Sequence, residues 1–110
     1  MITFIGTTVS VNGKSLTVEY PVIDAFEVEE RIILLFDPDA YTEKFGQFRN
    51  LVALSATGER LWTAEMPTTT SGDRYYKVAS RIPLVAYSIY SFECEIDITT
   101  GRIKARQFYK

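Results

Sequence analysis

The sequence predicts an all-β domain built from antiparallel hairpins. Three observations carry that expectation. Val, Ile, Thr and aromatic residues are abundant, with seven Tyr, seven Phe and one Trp among 110 residues, and these side chains suit a pleated, half-buried surface. Short segments alternate apolar and polar residues with a period of two, the mark of strands with one covered face. Gly-centred turns recur at Asn12-Gly13, Thr57-Gly58 and Thr100-Gly101, each between segments with strand character. Residues 1–110 are read as a single domain, which at this length buries roughly two-thirds of its unfolded surface.

The elements follow in order. Asn12-Gly13 separates Thr7–Val11 from Lys14–Tyr20, and Asn and Gly tolerate the positive φ that a tight type I′ turn demands. In the returning strand Leu16, Val18 and Tyr20 alternate with Ser15, Thr17 and Glu19, so one side is buried and the other wet. Pro21 interrupts the chain. A strand over Val22–Val28 leads through a short turn at Glu29-Glu30 into Ile32-Ile33-Leu34-Leu35-Phe36, whose unbroken apolar run predicts a strand covered on both faces. Asp37-Pro38-Asp39 ends it. Residues 40–47 are read as a loop or one helical turn. Strands over Arg49–Ser55 and Glu59–Met66 flank Thr57-Gly58. Residues 67–74 are polar and form the longest expected loop, a candidate for mobility. Tyr75–Ala79 and Leu84–Ile89 flank a break at Ile82-Pro83. Phe92, Cys94, Ile96 and Ile98 then alternate with Glu93, Glu95 and Asp97, and the last strand runs from Arg102 to Tyr109. Simple alternation places Arg102, Lys104 and Arg106 on one face, opposite the three acids.

The Gly turns are 45 and 43 residues apart, which leaves room for about four short strands per period, the spacing of propeller blades. Asn50–Trp62 has an Ala-Leu strand, a Thr-Gly turn and a Trp four residues beyond the Gly. This segment resembles the blade motif of quinoprotein-like β-propellers, with Ser55 where that family usually has Asp. Glu95–Ala105 is similar, keeping Asp97 and the Thr-Gly turn, with Ala105 where the Trp would stand. The resemblance implies two to two-and-a-half blade-like four-stranded units, or a small β-sandwich. It carries no activity and no cofactor. The chain as a whole also resembles small bacterial single-domain proteins without an assigned activity.

Charge and residue usage exclude several function classes. The net charge is −2, against nucleic-acid binding. Residues 1–73 hold five Lys/Arg and eleven Asp/Glu, whereas residues 74–110 hold seven and three. That asymmetry is either ordinary solubilising charge or a basis for pairing with a partner or a second copy. The sequence has no His and one Cys, so zinc ligation and His-assisted nucleophiles are absent, and no enzyme activity is expected. Cys94 falls among apolar positions and is read as a buried structural thiol. Asp37, Asp39 and Glu43 lack the spacing of a calcium loop, and Glu27, Glu29 and Glu30 read as a wet turn. No segment has the length of a membrane span or the form of a signal peptide, which predicts a cytoplasmic location.

What remains is a non-catalytic protein-interaction module, in one version immunity- or inhibitor-like, binding a protein partner or itself. The candidate contact residues are Arg74, Tyr75, Tyr76 and Lys77 after the polar loop, Trp62, and the basic stripe Arg102, Lys104 and Arg106, which Lys110, Phe108 and Tyr109 adjoin. Tyr75 and Tyr76 are adjacent, so one ring points in and the other out. The alternative is a small-ligand or carbohydrate site at loops 37–48 and 67–74, expected to show an aromatic-lined pocket.

Overall fold

A computed structural model describes residues 1–41 and 46–109, and among them the chain is all-β, with eleven strands in three antiparallel sheets. The first sheet is the meander β1 (Ile2–Ile5), β2 (Thr8–Val11) and β3 (Lys14–Thr17). The second is β4 (Val22–Val28), β5 (Arg31–Phe36), β6 (Leu51–Leu54) and β7 (Arg60–Thr63). The third is β8 (Tyr75–Ser80), β9 (Leu84–Ser88), β10 (Phe92–Ile96) and β11 (Ile103–Phe108). Each strand pairs with its neighbour in sequence, and each expected Gly turn joins the last two strands of its sheet. The period in the sequence is therefore the sheet itself, with the first sheet one strand short.

The sheets stack face to face, and the second lies in the middle. Ile33, Leu35, Leu51, Ala53 and Trp62 pack with Leu84, Ala86, Cys94 and Ile96 of the third sheet. Ile32, Leu34, Phe36, Val52 and Leu54, one residue out of phase, pack with Val9, Val11 and the partly buried Leu16 of the first sheet. Successive side chains on a strand point to opposite faces. Only an apolar residue at every position satisfies both cores, which is why β5 reads Ile-Ile-Leu-Leu-Phe.

One contact repeats along the stack. A Cβ on Gly58, in the second sheet's turn, would lie 3.1 Å from Leu16 Cδ2. A Cβ on Gly101, in the third sheet's turn, would lie 2.7 Å from Trp62 ring atoms. Leu16 follows Gly13 by three residues and Trp62 follows Gly58 by four. In each case the returning strand of one sheet presses a large side chain onto the Gly turn of the next. The Trp62 indole N–H also donates to the Ile98 carbonyl at 2.9 Å. In the third sheet the equivalent position, four residues past Gly101, is Ala105; there the stack has no plug for a further layer.

A buried polar residue fastens the second sheet to the third. Asn50 is fully buried; its amide donates to the carbonyls of Phe36 (3.0 Å) and Tyr75 (2.6 Å), and its Oδ1 accepts from the Tyr75 N–H (2.9 Å). Just past the other end of β8, Arg81 lies 4.6 Å over the Phe26 ring and 3.5 Å from Asp24.

Three segments add to the expected elements. Residues 2–5 form a strand that alternation alone did not mark, turned by Gly6-Thr7. Residues 67–74 are tied down: Gln47 donates to the Thr68 and Thr70 carbonyls, the Thr68 hydroxyl donates to Asp73, and Phe48 N–H donates to the Asp73 carbonyl. The reading of 40–47 as a helical turn or loop falls largely on residues 42–45, outside the described residues.

Candidate protein-interaction face

The outer face of the third sheet collects aromatic residues from three places in the chain. Pairing runs Lys77 to Tyr87, Tyr87 to Glu93 and Glu93 to Gln107. One row of side chains thus crosses all four strands on one face, since directly opposed residues share a face. Tyr76, the extra residue where the β8–β9 register shifts, and Tyr109, just past β11, close over the same face. Their hydroxyls are 2.5 Å apart, the Tyr87 and Tyr109 rings are 4.7 Å apart, and the Tyr76 and Tyr87 rings 6.3 Å. The Lys77 ammonium lies 6.0 Å from the Tyr87 ring centre. A hydrogen bond to Glu93 raises the Tyr87 pKa, and burial, followed by the hydrogen bond with Tyr76, raises that of Tyr109. These phenols are neutral at ordinary pH and present rings with polar tips.

The opposite end of the stack differs. The outer face of the first sheet pairs Thr3 with Ser10 and Ser10 with Ser15, and Ile5 with Thr8 and Thr8 with Thr17. It carries hydroxyls and one isoleucine and has no aromatic ring.

The expected contact residues divide accordingly. Tyr76 and Lys77 lie on the aromatic face. Tyr75 is the inward ring of its pair: it is fully buried and its hydroxyl donates to the Glu65 carbonyl at 2.6 Å. Trp62 is the core plug described above, 7% exposed. Neither is available to a partner. Arg74 is spent within the chain, donating to the carbonyls of Gly72, Pro38 and Tyr41. The basic stripe is not a single face either. The β10–β11 register shifts at Lys104, so Arg106 falls opposite Cys94 and Ala105 opposite Glu95. Lys104 pairs with Glu95 at 3.5 Å. Arg106 turns toward the core side, over the Phe92 ring at 5.4 Å, and donates to the Pro67 carbonyl. Arg102 precedes the strand and is exposed. Asp97 lies across from Arg102 as expected, its N–H donating to the Arg102 carbonyl at 2.8 Å, and its carboxylate accepts from the Thr99 N–H within the turn.

Loops 37–48 and 67–74 do meet, but the bonds from Gly46, Gln47 and Phe48 to residues 68–73 close them on each other. The nearby groove, about 550 Å³, is lined mainly by Glu65, Thr68–Thr70 and Arg106, with Phe92 its one aromatic. Asp37 and Asp39 form a self-capped turn, Asp37 accepting from the Asp39 N–H, and Glu43 lies outside the described residues. Among the described residues no cluster of three metal-ligating side chains occurs, and no helix is long and apolar enough to cross a membrane. Cys94 is buried as expected, and burial raises its thiol pKa to about 11.

Comparison with known families matches the chain to a domain of unknown function (DUF7957) over residues 1–108. The chain belongs to the DUF7957 family. Comparison with the curated proteins and with the solved structures gives no match.

Proposed function

We propose that this DUF7957 domain is a non-catalytic protein-interaction module and that its contact face is the outer face of the third sheet. The observation that carries this reading is the cluster of Tyr76, Tyr87 and Tyr109, flanked by Lys77 and Glu93, on the sheet face that neither other sheet among the described residues covers. Tyrosine supplies a large, rigid contact area and a hydrogen-bonding tip at small entropic cost, and interface cores are enriched in it. Ala105 in place of a Trp-like plug favours a different protein over a second copy as the partner. In the immunity- or inhibitor-like version, the partner is an enzyme that the face occludes. Blade-like stacking of the kind the quinoprotein resemblance implies belongs to the same reading.

The test is quantitative affinity capture with two baits, the native chain and a Tyr76→Ser, Tyr87→Ser double variant matched for unfolding midpoint. The expected result is one stoichiometric protein retained by the native bait and lost by the variant. Equal recovery by both baits, or no stoichiometric partner for either, contradicts the proposal.

A further inference from the structure

We infer that the free edge of β11 is a strand-addition site for an extended acidic segment of the partner. This rests on the interaction-module reading and names the chemistry of the segment that module takes. In the third sheet β11 is an edge strand, and among the described residues β10 is its only strand partner. The Tyr109 N–H donates inward to the Ser91 carbonyl at 2.8 Å. Inward and outward groups alternate along an antiparallel edge, so the N–H and C=O groups of Arg106 and Phe108 point away from the sheet. Such a row is a template for one more strand.

The edge opens onto a trough. One part, about 360 Å³, is lined by Glu65, Met66, Ile103, Lys104, Ala105 and Arg106, and it runs into the larger groove at Phe92 and Thr68–Thr70. Phe108 is 61% exposed and packs edge-on to Phe92 at 5.6 Å. A strand laid along β11 would place alternate side chains against Phe108 and the Arg106 side chain that covers Phe92, and the intervening ones on the outer face beside Gln107 and Tyr109.

Charge selects the occupant. Residues 74–110 carry four more cationic than anionic side chains. Among the described residues Arg102 and Arg106 have no carboxylate partner, and Lys104 holds the half-buried Glu95 at 3.5 Å. The acid in the trough, Glu65, already accepts from the Ile103 N–H at 2.9 Å. A second copy of β11 running antiparallel would set cations against cations, which is destabilising. An acidic strand from another protein meets no such repulsion.

The probe is a peptide of about eight residues alternating glutamate and valine, titrated into uniformly ¹⁵N-labelled full-length chain at low and physiological salt. The expected result is saturable shifts of the Arg106 and Phe108 amides, with affinity falling as salt rises. The Arg102→Gln, Lys104→Gln double variant, changed only at exposed side chains, is expected to weaken binding about five- to tenfold. Methylating alternate backbone nitrogens of the peptide, which removes its donors, is expected to abolish binding. Equal binding of a lysine–valine peptide, unchanged binding after N-methylation, or shifts confined to the outer tyrosines overturns the inference. So does dimerisation through β11, or tighter binding of a single-stranded oligonucleotide at the same amides. The Tyr76→Ser, Tyr87→Ser variant separates the two proposals, because it leaves the β11 edge intact.

Discussion

Replacing the three turn glycines by alanine, one at a time, tests the contact that repeats along the stack. All three have positive φ: +86° at Gly13, +93° at Gly58 and +77° at Gly101. Left-handed backbone costs any L residue roughly 1–2 kcal/mol, so each variant carries that common loss. The sockets then separate them. At Gly13 nothing lies within 4 Å of the added methyl, so the backbone term stands alone. At Gly58 the nearest atom, 3.1 Å away, is the tip of Leu16, a partly buried side chain that shifts with little cost. At Gly101 three atoms of the Trp62 ring lie 2.7 to 2.9 Å away, and the bond from Nε1 to the Ile98 carbonyl holds the ring in place. Forcing a methyl into a packed site costs a further ~1–3 kcal/mol. The expected losses are about 1–2 kcal/mol for Gly13→Ala, slightly more for Gly58→Ala, and about 2–5 kcal/mol for Gly101→Ala. Urea unfolding followed by fluorescence of Trp62, the one tryptophan, reads all three. Equal losses in the three variants would refute the plug-and-socket argument.

Three further predictions come from single features. Asn50→Ala leaves the Phe36 carbonyl and both Tyr75 backbone groups without partners in the core, an expected loss of about 3–5 kcal/mol by urea unfolding; Asn50→Asp, which must be protonated to donate to even one of those two carbonyls, is expected to gain stability as pH falls. Glu29 and Glu30 both have positive φ, +48° and +65°, so Glu29→Asn with Glu30→Gly relieves strain and is expected to raise stability by about 1 kcal/mol, which thermal unfolding checks. Burial raises the Cys94 thiol to about 11 and also raises the Tyr75 hydroxyl. A raised folded pKa gives stability that is whole below the unfolded pKa and is lost as pH climbs toward the folded one, so the Cys94 share, roughly 2–3 kcal/mol, is expected to vanish between about pH 9 and 11. Cys94→Ala is expected to flatten that part of the pH profile, and the native thiol to react with an aromatic disulfide reagent only on unfolding.

The fold was largely legible because local and global signals agree in it. The Gly spacings of 45 and 43 residues mark equivalent turns of successive sheets, and the unbroken apolar run of β5 reported a strand with a core on each side. The aromatic face was only partly legible. The adjacent pair Tyr75 and Tyr76 marked one ring outward, but Tyr87 and Tyr109 reach it through strand pairing between distant residues, which leaves no local pattern. The basic stripe was misread because a bulge at Lys104 breaks the alternation, and no residue type there announces a bulge. The 67–74 loop was legible as a loop, but the bonds that Gln47 and Phe48 make to it join residues distant in sequence and leave no local pattern.

The central claim is that the stack ends at an aromatic face left free for a different protein. Light scattering of the native chain across a concentration series, at low and physiological salt, tests it most directly. The account predicts the mass of one 12.5 kDa chain throughout, because Ala105 offers no plug to a following copy. A dimer or larger assembly that the Tyr76→Ser, Tyr87→Ser variant dissolves would contradict it, placing a second copy of the chain on that face.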